Sequence, residues 1–319
     1  MSNLEHGPHD PIPCQAGGDD DTLQVLTARK ARIGASMTIR RVLPQRRRRL
    51  IGPWCFLDHF GPHTFPADTR QQGMWVEAHP HTGLQTVTWL LEGEAIHRDS
   101  LGTHQAIAPG SLNVMTAGRG ITHTEETPPH NNGRLHGVQL WVALPTSARH
   151  SAPAFEHHDA LPRFEEDNAT ATLFMGEGFG DQAPATVHTP MMGADIAIHG
   201  AGRSVLPLER RFEHGFIVVE GEVELQGTRI TPGHLAYLAP GRRELDLRAE
   251  GAARLMLVGG EPFPETVLMW WNFVSDNAED LRAAYEDWKA GRRFGPVAGF
   301  EGGRLDAPRW VGTPKAPKA

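Results

Sequence analysis

Cysteine is almost missing from this 319-residue sequence, which holds Cys14 and Cys55 and no other. Two thiols cannot build a disulfide framework, so a reducing, cytoplasmic setting is expected. Long apolar runs are missing as well. No stretch approaches the ~18–20 residues of a membrane span, and no membrane partner is expected. The first residues, MSNLEHGPHDPIPCQAGGDDD, contain no apolar block of the secretory kind, so no secretory signal is expected. An excess of basic charge is also lacking. Lys and Arg number 31 against 38 Asp and Glu, a formal charge of −7, with an isoelectric point near 6.2. Direct binding of nucleic acid through a basic surface is therefore not expected.

What the chain does hold is apolar residues at 39%, 35 Gly, 25 Pro and 18 His. The apolar share is enough for a large core. Frequent Gly and Pro suit many short elements joined by tight turns, which favours an all-β fold. The length suggests about two domains. The histidines invite a search for metal ligands.

Residues 1–35 are polar and lack periodicity, and read as a mobile tail in which His6, His9 and Asp19-Asp20-Asp21 are solvated. From 36 to 145, short apolar runs are bounded by Gly, Pro and His. Thr86 to Leu91, Ser111 to Met115 and Val138 to Leu144 read as strands. Residues 146–180 read as a connection, 181–291 as a second strand-rich domain and 292–319 as a tail. The second domain echoes the first. Leu90-Leu91-Glu92-Gly93-Glu94 matches Val218-Val219-Glu220-Gly221-Glu222, and Pro109-Gly110 matches Pro232-Gly233, which suggests an internal duplication. One short C-terminal helix is expected. Asp276 and Glu279 form a capping box, Leu281, Ala284, Tyr285 and Trp288 a buried stripe, and Gly291 the stop.

The pattern that carries chemistry is His79-Pro80-His81. In an extended segment residues i and i+2 share a face, so both imidazoles project together. Pro80 stiffens the link. His123-Thr124-Glu125 repeats that spacing further along. If the two segments face each other inside a barrel, three nitrogens and one carboxylate oxygen converge. Such a set suits a divalent transition metal and leaves positions open for water or substrate.

The run HPHTGLQTVTWLLEG from His79 to Gly93 resembles the first signature of the cupin superfamily. MTAGRGITHTE, from Met115 to Glu125, resembles the second signature in its pirin form. IGPWCFLDHFGP (51–62) and HGVQLW (136–141) are similar to further pirin segments. The resemblance spans about Met37 to Lys289 and implies two tandem cupin barrels of the double-stranded β-helix, or jelly-roll, type. Carried over, the pirin metal site falls on His79, His81, His123 and Glu125. The resemblance implies iron, in the first barrel only; the same donors admit Cu, Mn, Ni, Co or Zn. Two positions depart from the pattern: Thr82 stands for the usual Arg and Gln85 for the usual Glu. These departures bear on the tuning of the metal and on substrate choice. In the second half, offsets place Pro207, Glu209 and Glu244 at the ligand positions, so that barrel is expected to be metal-free.

The activity so implied is quercetin 2,3-dioxygenase-type cleavage of a flavonol or related enol. The partners are a small aromatic substrate and dioxygen, with Glu125 as candidate base. The alternative is a non-catalytic, iron-containing, redox-sensitive regulator that binds a partner protein. Elsewhere the expectations are plainer. Arg46-Arg47-Arg48-Arg49 reads as a solvated loop, and His157-His158 as solvent-facing. His97 and His104 lie near barrel turns, as pocket-entrance or exposed residues. His136 reads as packed or supporting, Cys55 as a buried thiol, and Trp89, Met115 and Trp141 as core.

Overall fold

The strand Leu84–Gly93 shows how the pattern becomes architecture. Successive side chains point to opposite faces. Val87 and Trp89 enter one apolar cluster, while Leu84 and Leu90 enter two others on the opposite face. Both faces are covered, and eight of the ten residues are buried. A computed structural model describes residues 11–14, 23–33 and 37–311.

Two barrels result, each from a large and a small antiparallel sheet. In the first, a seven-stranded sheet contains Leu84–Gly93 and Arg134–Ala143, and a four-stranded sheet contains Trp75–His81, Ile121–Glu126, Ala95–Asp99 and His104–Ile107. In the second, an eight-stranded sheet contains Glu213–Glu220 and Ala253–Gly260. Its four-stranded companion begins with Gly202–Pro207 beside Glu244–Ala249. The large sheets pack face to face. Trp54, Leu57, Val87, Trp89, Val138 and Leu140 from one meet Phe174, Ile217, Tyr237, Met256 and Val258 from the other. Polar ties cross the same junction: the Trp54 indole donates to the carbonyls of Met192 and Gly259, and the Trp89 indole to Asp195. No helix of the described residues is long and apolar enough to cross a membrane.

The structure departs from several of these expectations. Part of the supposed N-terminal tail is strand: Gln24–Thr27 joins the second barrel's large sheet, and Arg29–Ile33 pairs with Met37–Leu43 of the first. His6, His9 and Asp19 to Asp21 lie outside the described residues. The supposed connection is strand as well. Ala154–His158 pairs with Leu112–Thr116, and Ala169–Gly178 lies in the second barrel's sheet. His157 is accordingly half-buried, with Nδ1 2.8 Å from Asn113 Oδ1. Arg48 is not a loop residue in water. It is buried, its guanidinium lies 3.4 Å above the Tyr237 ring, and it pairs with Glu213. The C-terminal helix is Ala278–Lys289, and its buried face is Leu281, Ala284, Tyr285 and Trp288 as the periodicity requires. Its N-cap is Asn277, whose side chain accepts from the Asp280 N–H, one residue beyond Asp276. Residues 294–310 do not trail away: Phe294, Leu305 and Trp310 pack on the helix.

Candidate metal centre

The site stands on the strands Trp75–His81 and Ile121–Glu126, which pair antiparallel. Their register sets His79 opposite His123. An irregularity follows, so that Glu125 lies opposite Val76. Across the other edge, Ala95–Asp99 sets Asp99 beside His123 and His97 beside Glu125. Directly opposed residues of a sheet share a face, and one inner face therefore carries His79, His123, Glu125, His97 and Asp99. Gly83 closes the turn after the first two histidines. Its φ is +71°, and a Cβ there would lie 1.9 Å from the Val274 carbonyl.

His79, His81 and His123 each offer a ligand nitrogen within 4.8 Å of the others, and all three are buried. Ring centroids lie 5.1, 4.3 and 5.0 Å apart. The three Nε2 atoms are buried with no hydrogen-bond partner. Nδ1 of His79 lies 2.7 Å from the Glu77 carbonyl, and Nδ1 of His81 lies 3.2 Å from the Asn272 carbonyl. A carbonyl only accepts, so the hydrogen sits on Nδ1 and Nε2 carries a lone pair. Burial holds all three imidazoles well below their ordinary pKa, reinforced by neighbouring imidazoles at His81 and His123. Neutral rings with bare, converging, unsatisfied nitrogens fit a bound cation. Buried polar atoms without partners are otherwise costly.

Glu125 is buried on the same inner face, and its Oε1 accepts from Thr88 Oγ1 at 3.3 Å. The same hydroxyl lies 3.0 Å from Gln139 Oε1, and the Gln139 amide nitrogen is buried without a partner. Trp141 lies edge-on to His81 at 5.1 Å and stacks on Phe56. Gln85 faces the other way. Its amide donates to Thr116 Oγ1 and to the Thr186 carbonyl, on the outer face of its strand. That departure therefore acts on the strand's outer surroundings and not on the metal ligands.

Sequence reasoning missed the role of His97. It is buried, not exposed at an entrance: Nδ1 lies 3.4 Å from His123 Nδ1, and Nε2 lies 3.1 Å from Asp99 Oδ2. His97-Arg98-Asp99 has the same i, i+2 spacing as the two ligand pairs, and that signal could have found it. His104 is exposed. His136 is buried outside the site, with Nε2 2.9 Å from His59 Nε2 and Nδ1 3.2 Å from Glu220. The chain beyond the second barrel returns to brace the site from behind. Besides the Asn272 carbonyl, the Phe294 carbonyl accepts from Thr122, and Ala78 pairs with the backbone of Gly303 and Leu305.

The second barrel has the same strand pair but different contents. Pro207 lies opposite Glu244, and both side chains are exposed. The residues that point inward are Leu206, Leu245 and Leu247, one position away from those the offsets gave, and Leu208 joins the same cluster. Leucine offers no ligand atom.

Comparison with known proteins places this arrangement. The family described as Pirin matches residues 36–142, and the Pirin C-terminal cupin domain matches 193–295. A Pseudomonas aeruginosa protein named as a candidate quercetin 2,3-dioxygenase is 47% identical over 287 residues, covering 90% of each chain. A pirin-like protein of Caulobacter vibrioides is 38% identical over 273 residues, 84% of this chain and 93% of its own. The crystal structure of a quercetin 2,3-dioxygenase from Acinetobacter baumannii superposes with a TM-score of 0.88 at 41% identity, covering 93% of this chain and 98% of that one.

Proposed function

This chain belongs to the pirin family of two-cupin proteins, and from that membership we propose that it is a metal-dependent dioxygenase of the quercetin 2,3-dioxygenase type, acting on a flavonol or related enol. The observation that carries this reading is the set of three converging, buried Nε2 atoms without partners. His79, His81 and His123 would hold one divalent transition metal, with Glu125 as the fourth ligand. Iron is the metal we infer. Bound there, it would supply Lewis acidity toward an enolic hydroxyl and an electron couple for dioxygen.

The residues around it have separate tasks. Glu125 would take the proton of the substrate hydroxyl, as a carboxylate beside a proton donor does. Thr88 holds the Glu125 Oε1 in place. The unpartnered Gln139 amide is available to a substrate oxygen. Trp141 and Met115 are buried apolar neighbours that keep water from the inner wall. The two buried free thiols support a reducing compartment, which we take to be the cytoplasm.

Oxygen uptake and carbon monoxide release from quercetin test the reading. The metal-loaded wild type should turn over, and His123→Ala and Glu125→Gln should lose most of the rate. A loaded protein that leaves quercetin untouched, or equal rates in all three proteins, would contradict it.

A further inference from the structure

The three imidazoles are not oriented in the same way. His79 and His81 each face a backbone carbonyl, which can only accept. His123 faces another histidine, with its Nδ1 3.4 Å from His97 Nδ1. Two ring nitrogens can share one hydrogen only if one of them is bare. The tautomer of His123 is therefore decided by His97. The His97 Nε2 lies 3.1 Å from Asp99 Oδ2. A carboxylate accepts, so a neutral His97 carries its hydrogen on Nε2 and leaves Nδ1 bare. That bare nitrogen accepts from His123 Nδ1–H, and His123 Nε2 is left with its lone pair toward His79 and His81.

The relay is anchored at both ends. Asp99 is buried, and its Oδ1 accepts from the backbone N–H of Leu101 at 2.9 Å and of Thr103 at 3.1 Å. Phe155 stacks on the His97 ring, with centroids 4.5 Å apart.

We propose that His97 and Asp99 are positioning residues of the metal centre, a carboxylate–imidazole relay that fixes the tautomer and ring plane of His123. The inference rests on the metal reading of the three histidines. Among the three histidines, it makes His123 the one that faces a partner able to reverse its own hydrogen, where His79 and His81 face carbonyls. Neither His97 nor Asp99 needs to touch substrate.

The test is Co2+ affinity of the full chain, measured by competition with a chromophoric chelator, with circular dichroism as the check on folding. His97→Phe keeps a ring against Phe155 but offers no acceptor. It should weaken Co2+ binding roughly 10–100-fold, as loss of a ligand's hydrogen-bond partner does. His97→Asn places a carbonyl where Nδ1 was and should recover most of that loss. Asp99→Asn keeps Oδ1 for Leu101 and Thr103. Its amide can donate to His97 Nε2, which moves the His97 hydrogen onto Nδ1, against His123. It should weaken binding about 10-fold or more. Wild-type affinity in His97→Phe, or an Asn variant as weak as the Phe variant, overturns the proposal. If His97→Phe does not fold, wild-type affinity in Asp99→Asn overturns it. A wild type that binds no Co2+ at all refutes the metal reading itself, which is a different result.

Discussion

The two barrels share a plan of one large and one four-stranded sheet, and the contrast that matters for the site lies on one pair of strands. In the first, Trp75–His81 and Ile121–Glu126 turn His79, His81, His123 and Glu125 inward. In the second, Gly202–Pro207 and Glu244–Ala249 turn in Leu206, Leu245 and Leu247. The outer faces of both large sheets meet in one apolar cluster. The fold can thus rest on that shared junction and on the second barrel's interior, which is largely apolar but holds His214, while the first barrel gathers polar atoms at one place inside. Unpartnered buried nitrogens lower stability, so a barrel that keeps three of them together is paying for something other than folding.

Substitutions should separate the two roles. The largest effect is expected for His79→Ala or His123→Ala, which should weaken metal binding by more than about 100-fold, beyond the loss seen when a ligand's partner is removed. Urea unfolding of the metal-free form should change little. Leu206→Ala or Leu245→Ala in the second barrel should do the reverse. Metal affinity should be unchanged, and unfolding should come about 2–5 kcal/mol more easily.

Acid should act on both barrels. Burial pushes His214 of the second barrel down to about 4, and His59 behind the first, with His136 beside it, down to about 3. Above their ordinary value of 6.5 both folded and unfolded chains hold these rings neutral, and pH has no effect through them. Below it the unfolded chain takes up protons that the fold refuses. Stability should then fall by about 1.4 kcal/mol per pH unit for each such histidine, until the folded value is reached. Denaturation at pH 7, 6 and 5 measures the slope, and His214→Phe should reduce it.

Smaller effects follow from single hydrogen bonds. Thr88→Val keeps the shape but leaves Glu125 Oε1 and Gln139 Oε1 without that hydroxyl. It should cost about 1–3 kcal/mol, with no counterpart in the leucine-lined barrel. Asn277→Ala removes the cap of the C-terminal helix and should cost about 1 kcal/mol. Thermal unfolding distinguishes the two.

Much of this was legible in the sequence because it rests on local periodicity. The i, i+2 spacing of His79/His81 and of His123/Glu125 is the local signal for side chains on one strand face, and Leu281, Ala284, Tyr285 and Trp288 read as one helical stripe. What escaped depends on partners far away in the chain. Gln24–Thr27 is strand because it pairs with His234–Leu238. Arg48 is buried because Glu213 and Tyr237 meet it. The C-terminal segment packs behind the ligand strands because its aromatic residues find one another there. The ligand positions of the second barrel were misplaced by one residue because the repeat offset is not constant. A one-residue slip in a strand exchanges the inner and outer faces.

X-ray absorption fine structure of the metal-loaded protein reads the ligand set itself. The bound metal should have three imidazole nitrogens among its nearest neighbours, and that number should fall in His123→Ala. A loaded wild type without imidazole scattering, or an unchanged spectrum in the variant, would contradict it.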